Sequence, residues 1–297
     1  MTGRVIALGF FDGVHLGHGR LLKRTVQRAR QLGCTAAAMT FDRYPGSTIS
    51  GVRTGLISSL DDRTALMQEL YAIEEVLCPS FDRSFMQMPW QTFVEEYLHR
   101  TLQARHVVCG YDYRFGSGGE GTPERLQALC RQLGMGCDCV EKLALDGVTV
   151  SSTHIRTLLA QGQTEQAARF LGHPHRLSGQ VVSGQQLGRR LGIPTANLEP
   201  PAGVLLPQSG VYAVRAYVGT DAYTGVCNIG TRPTVHGGGV TVETWLDGFE
   251  GDLYGRRLRL DFYRRLRPER RFASLEEMKQ EIVRNRQQAR DYFVSAK

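Results

Sequence analysis

Apolar and polar positions keep one rhythm in the first half of the chain and another in the second. Val5-Ile6-Ala7-Leu8 is a continuous apolar run stopped by Gly9, and residues 18–32 follow with apolar positions at Leu21, Leu22, Val26 and Ala29, the spacing of one helical face. The alternation continues with a strand over Ala36-Ala37-Ala38-Met39-Thr40-Phe41, a helix from Asp61 to Tyr71 and a strand at Glu75-Val76-Leu77. A helix from Trp90 to Leu102 and a strand at Val107-Val108-Cys109 come next, then a Gly-rich loop at 116–121. Strands alternating with helices predict parallel βαβ units with helices on both faces of the sheet. After about residue 172 the runs shorten and alternate, as in Gly179-Gln180-Val181-Val182, Tyr212 to Val218 and Leu258 to Phe262, between Gly and Pro turns. That is the pattern of a small antiparallel barrel. A single helix is expected to close the chain, with Ser274 as N-cap, Glu277 completing a capping box, and Ile282 and Tyr292 facing inward. The boundary is expected around His173-Pro174-His175, giving domains of 1–174 and 175–297.

Composition agrees with two globular cores. The chain has 297 residues, 41% apolar and 22% charged, which exceeds a comfortable single core. No apolar run approaches the roughly 18 residues that span a bilayer, and Met1-Thr2-Gly3-Arg4 leads into only four apolar residues before Gly9. A cytoplasmic chain without a signal peptide or membrane partner is expected. Seven cysteines, odd in number, without a CxxC pair and mostly among apolar neighbours, read as buried free thiols in a reducing compartment. Cys137-Asp138-Cys139 lacks the second ligand pair a zinc site needs. The net charge of +7 fits nucleic acid, anionic nucleotides or no charged partner at all, and much of it lies between Arg256 and Arg271. Without a known motif or an aromatic-lined reading surface, nucleic acid is not expected.

Candidate chemistry begins between the first strand and first helix, where an open α/β sheet places its ligand crevice. Gly9-Phe10-Phe11-Asp12-Gly13-Val14-His15-Leu16-Gly17-His18 sets two histidines three apart at a helix start, with glycine between them. Ring nitrogens and backbone N–H groups there can converge on one anion, and nucleotide phosphate is the natural candidate. The same residues could also cap a helix or bind a metal. Ser151-Ser152-Thr153-His154-Ile155-Arg156 opens another helix with hydroxyls and a guanidinium, a phosphate grip or an ordinary N-cap.

The first of these segments carries the HxGH signature of nucleotidyltransferases, and the second resembles that superfamily's other phosphate-binding element. Thr40-Phe41-Asp42-Arg43-Tyr44-Pro45 and Gly110-Tyr111-Asp112-Tyr113-Arg114-Phe115-Gly116 narrow the resemblance to FAD synthetase. It implies ATP contacts at Gly9, Phe10, Asp12, His15, Gly17, His18, Ser151, Ser152 and Arg156, catalytic roles for His15 and His18, and FMN contacts at Asp112 and Arg114. Tyr44 stands where the family usually has histidine, and His154 where it has arginine.

In the second half, Gly188-Arg189-Arg190-Leu191-Gly192-Ile193-Pro194-Thr195-Ala196-Asn197 offers a Gly-rich turn, and Gly184 precedes it. The Thr195 hydroxyl and the Asn197 side-chain carbonyl are hard oxygen donors suited to Mg2+. Alone, Pro-Thr-Ala-Asn is a turn with a local cap. Asn228 to Thr234, Val242-Glu243-Thr244-Trp245, Gly251 to Gly255 and Leu266 to Phe272 follow in order, and the series resembles riboflavin kinase. The resemblance implies ATP contacts at Gly184, Gly188, Arg189, Gly192, Thr195 and Asn197, with Thr195 and Asn197 on Mg2+, and flavin contacts at Arg267 and Phe272. Glu243 matches the family's catalytic carboxylate.

The whole chain therefore resembles the bacterial bifunctional riboflavin kinase/FAD synthetase family. That implies a Rossmann-like nucleotidyltransferase domain, a small antiparallel β-barrel with a terminal helix, and riboflavin, FMN, FAD and ATP as partners. Two other readings stay open at this point: a riboflavin kinase whose first half no longer adenylylates, and a non-enzymatic flavin sensor or RNA binder. A homo-oligomer also stays open.

Overall fold

The order of strands around β1 (Arg4–Leu8) decides where the first half of the chain can hold a ligand. In this computed structural model, which describes residues 3–46, 51, 54–183, 194–232 and 239–295, β1 lies at the centre of a five-stranded sheet. The other strands are β2 (Thr35–Met39), β3 (Glu75–Leu77), β4 (Ala104–Gly110) and β5 (Gly136–Val140), in the order β3-β2-β1-β4-β5. All pairings are parallel. Both faces are covered, so the strands read as unbroken apolar runs instead of alternating ones. Val5 and Ala7 pack with Leu21, Leu22 and Ala29 of α1 (Leu16–Leu32) and with Leu66 and Met67 of α2 (Leu60–Tyr71). Ile6 and Leu8 face the other core, with Leu126 of α3 (Pro123–Gln132) and Phe93 and Leu98 of the π-helix Phe93–Thr101. The expected helix from Trp90 thus becomes π-helical after one turn, and Leu102 N–H bonds the Tyr97 carbonyl five residues back at 2.9 Å.

A hairpin of β6 (Ala144–Leu145) and β7 (Val148–Thr149) follows, turned by Asp146 and Gly147 at φ of 52° and 78°. It leads into α4 (Ser152–Ala160), and α5 (Thr164–Leu171) comes next. The chain clusters into two units, Met1–Leu56 with Arg63–Ser152, and Ile57–Asp62 with Thr153–Lys297.

The second unit contains a closed six-stranded barrel, ordered β10-β11-β12-β9-β8-β13. Its strands are β8 (His175–Val182), β9 (Ala196–Glu199), β10 (Gly210–Val218), β11 (Asp221–Arg232), β12 (Gly239–Leu246) and β13 (Arg257–Pro268). Alternate residues fill the lumen, among them Tyr212, Val214, Cys227, Ile229, Val242, Leu260 and Phe262. The intervening Val211, Ala213, Val226 and Trp245 face outward and are covered by Ala289 and Phe293 of α6 (Leu275–Ser295). The expected cap holds: Ser274 Oγ accepts from Glu277 N at 3.1 Å, while the Glu277 carboxylate accepts from Ala273 N at 2.9 Å. Gly179 is required for closure, because a Cβ there would lie 2.1 Å from the Glu199 carbonyl oxygen.

The cysteines depart from expectation in part. Cys109, Cys130 and Cys227 are buried, whereas Cys78 and Cys139 are exposed. Cys139 is the last but one residue of edge strand β5, none of whose residues is fully buried.

Candidate active sites

Strand order reverses between β1 and β4, so the loops leaving those strands diverge and open a crevice at their carboxyl ends. A cavity of about 360 Å³ lies there, lined by Gly9, Phe10, His15, Gly17, His18, Asp112, Arg114, Ser151 and Ser152 among others. Asp12 is buried in the same loop, and its carbonyl accepts from Ser152 Oγ at 3.0 Å, joining the two expected phosphate segments. Arg156 lies one turn further along α4, in the portion that clusters with the second unit.

The histidine loop is held in a demanding conformation. Phe11, Gly13 and Val14 all have positive φ, at 57°, 76° and 43°, and a β-branched residue in that region is strained. The first helical turn repeats the capping geometry that the residue spacing allowed. His15 Nδ1 accepts from His18 N at 3.2 Å, and the two rings stack at 3.5 Å. A Cβ on Gly17 would crowd the His15 ring at 3.1 Å, so the glycine makes room for that cap. Because Nδ1 accepts, the proton of neutral His15 sits on Nε2. Burial, followed by the nearby His15 and Arg63, pushes His18 well below the ordinary histidine value, so it is neutral at pH 7.

The Thr40–Pro45 segment supports this loop from below. Thr40 Oγ1 donates to the Phe10 carbonyl at 2.8 Å, Asp42 accepts from Phe81 N at 3.0 Å, and the Tyr44 ring packs 5.1 Å from Phe10. In the second unit His154 lies edge-on to Phe170 at 4.6 Å.

The barrel's lumen is filled with side chains, and its cleft lies outside the wall, under α6. A cavity of about 210 Å³ is lined by Thr195, Asn228, Glu243, Trp245, Arg267, Phe272, Ile282 and Asn285 among others. Asn197, Glu243 and Asn228 form a row across three strands, each opposite the next in register. Directly opposed side chains share a face about 5 Å apart, so this row gathers one carboxylate and two amides. Gly184, Gly188, Arg189 and Gly192 lie outside the described residues.

Sequence reasoning did not single out the anchors of Arg267. Its Nε donates to Asn285 Oδ1 at 3.0 Å and lies 3.5 Å from Glu281, which also accepts from Arg270 at 3.1 Å. Asn285 and Glu281 are 2% and 7% exposed, so this is a buried polar network on an otherwise apolar helix face. Arg267 and Arg270 lie 5.4 and 4.8 Å from the Phe272 ring. A polar pair four apart beside Met278 and Ile282 was the available signal.

The first cleft presents imidazole, hydroxyl and guanidinium groups suited to phosphate, the second sets a carboxylate among hydroxyl, amide and guanidinium groups, and together they fit a transferase with two active centres. Comparison with known proteins makes the class specific. The FAD synthetase family model matches residues 1–154 and the riboflavin kinase model residues 171–293. The chain is 35% identical to the bifunctional riboflavin kinase/FMN adenylyltransferase of Bacillus subtilis (strain 168), over 97% of this chain and 92% of that one. It is 36% identical to the protein of the same name from Escherichia coli (strain K12), over 98% and 93%. A crystal structure described as a macrolide-efflux protein from Streptococcus pneumoniae superposes with a TM-score of 0.87 at 27% identity, covering 97% of this chain and 94% of that one. The chain belongs to the bifunctional riboflavin kinase/FMN adenylyltransferase family. Among the described residues no helix is long and apolar enough to cross a membrane.

Proposed function

We propose that residues 175–297 phosphorylate riboflavin to FMN with ATP, and that residues 1–174 join AMP from a second ATP to FMN, giving FAD and pyrophosphate. The observation that carries this reading is the presence in one chain of the Asn197–Glu243–Asn228 row and of a histidine-lined cavity where the sheet order reverses.

In the kinase reaction the ribityl 5′-hydroxyl oxygen attacks the γ-phosphorus, its proton passes to Glu243, and ADP leaves. Thr195 and Glu243 line one cavity, and Asn197 stands opposite Glu243 on the next strand, which gives a donor set of hard oxygens that fits Mg2+. Thr195 and Asn197 would hold Mg2+, which would supply neutralising charge to the ATP phosphates. Gly184, Gly188, Arg189 and Gly192 complete the ATP site in this reading. Arg267 and Phe272 offer a planar cation and a ring to the isoalloxazine.

In the second reaction a phosphate oxygen of FMN attacks the α-phosphorus of ATP and pyrophosphate leaves, so no protein nucleophile is needed. His15, with its proton on Nε2, and neutral His18 donate to phosphate oxygens as charge develops. Gly9, Phe10, Asp12, Gly17, Ser151, Ser152 and Arg156 complete the ATP side, and Asp112 and Arg114 position FMN. The reading makes this a cytoplasmic enzyme with small-molecule partners and no nucleic acid.

Label transfer tests it. With γ-labelled ATP and riboflavin, label is expected in FMN; with α-labelled ATP and FMN, label is expected in FAD. Label in neither product contradicts the proposal.

A further inference from the structure

Arg63 belongs to none of the motifs, yet it is fully buried in the first unit beside the histidine loop. One terminal nitrogen donates to the Phe41 carbonyl at 2.7 Å, and the guanidinium lies 4.1 Å from the Phe10 ring centroid, over its face. Nε and the other terminal nitrogen find no hydrogen-bond partner among the described residues. Burial lowers its pKa and nearby Asp12 pulls it back up, while Arg63 in turn helps keep His18 neutral.

Such a placement is unfavourable for the fold by itself. A buried guanidinium with unbonded N–H groups carries a desolvation penalty, and an apolar side chain of the same volume often serves stability better. Phe10 lines the cavity, and Arg63 stands against the face of its ring. It therefore touches the loop that holds Phe10, Asp12 and His18 and the end of β2 at Phe41, while its charge acts through a region that excludes water. Fixed charge in such surroundings interacts with an anion far more strongly than the same charge in solvent.

We infer that Arg63 is a positioning residue of the adenylyl-transfer site, fixing the Phe10–Asp12 segment against β2 and adding a permanent positive field behind the cavity that receives the ATP phosphates. This rests on the adenylyltransferase reading. Two functions are combined in one side chain, and only arginine performs both. Lysine retains the charge, but its single ammonium cannot both lie flat on Phe10 and donate to Phe41 in the guanidinium geometry.

The test uses the full chain with Arg63→Met and Arg63→Lys, measuring FMN and ATP conversion to FAD, with riboflavin phosphorylation and thermal unfolding followed on the same preparations. Arg63→Met is expected to raise KM for ATP about 10-fold and to lower kcat roughly 100-fold, the loss typical of misplaced reacting groups. Arg63→Lys is expected to recover the KM for ATP while kcat stays about 10-fold low. That split does not arise from a structural role, which moves activity and unfolding temperature together. If Arg63→Met folds with KM and kcat within twofold of the parent, or if Met and Lys are equally impaired in proportion to lost stability, the inference is overturned. If Arg63→Met fails to fold, the Lys split alone decides. A parent that makes no FAD from FMN overturns the adenylyltransferase reading itself, and this inference with it.

Discussion

Glu243 on β12 and Asn197 on β9 are direct cross-strand partners in the barrel wall. Opposed residues of an antiparallel pair present their side chains on one face, so the carboxylate lies next to the amide that the account assigns to the metal. Glu243→Gln keeps the shape and removes the base. It is expected to lower kcat for FMN formation by roughly 100- to 10,000-fold while adenylylation of supplied FMN continues at the parental rate. Separate steady-state assays of the two half-reactions check this.

The buried pair Glu281 and Asn285 holds Arg267 from α6. Hydrogen bonds to charged groups contribute about 1.5–3 kcal/mol. Asn285→Ala is therefore expected to weaken riboflavin binding roughly 10- to 100-fold, with a smaller change in kcat, read by quenching of flavin fluorescence. Unchanged affinity would remove Arg267 from the flavin site.

How much of this was legible follows from how local each signal is. Strands β1, β2 and β4 announced themselves because both their faces are buried. The π-helical continuation at Phe93–Thr101 was not legible, since its apolar spacing resembles that of an α-helix. The Asp146-Gly147 hairpin carries a local turn signal, Asp-Gly between two short strands. Glu243, Thr195 and the histidines sat in contiguous motifs. Arg63 and Asn285 did not, because what distinguishes them is contact with Phe41, 22 residues away, and with Arg267, 18 residues away.

Asp138 on β5 accepts from Arg24 at 2.7 Å and from Arg28 at 2.8 Å, with His106 Nε2 3.2 Å away. Burial alone would raise its carboxyl, but the bonds from Arg28 and Arg24 outweigh this and hold it below the usual range. A depressed folded value means stabilisation that is complete above the unfolded carboxylate pKa of about 4 and lost as pH falls below it. Asp138→Asn should cost about 1–3 kcal/mol at pH 7, and the difference should shrink steadily as pH falls below about 4 toward the depressed folded value. Urea unfolding across that range measures it.

His175 on β8 is 1% exposed. Burial first, then His173, pushes it down to about 3. The folded state binds this proton less readily than the unfolded chain, so stability is full above the unfolded pKa of about 6.5 and declines as pH falls toward the folded value. Between pH 7 and pH 5 the loss is about 2 kcal/mol. His175→Phe should flatten that decline, as followed by thermal unfolding at each pH; an unchanged slope would show that another group sets it.

Chromatography of flavin products from the purified chain with riboflavin, ATP and Mg2+, run beside Glu243→Gln and His18→Ala, tests the central claim most directly. The account predicts FAD from the parent, no flavin nucleotide from the Glu243 variant until FMN is added, and FMN that goes no further from the His18 variant. Riboflavin left unconverted by the parent would contradict it.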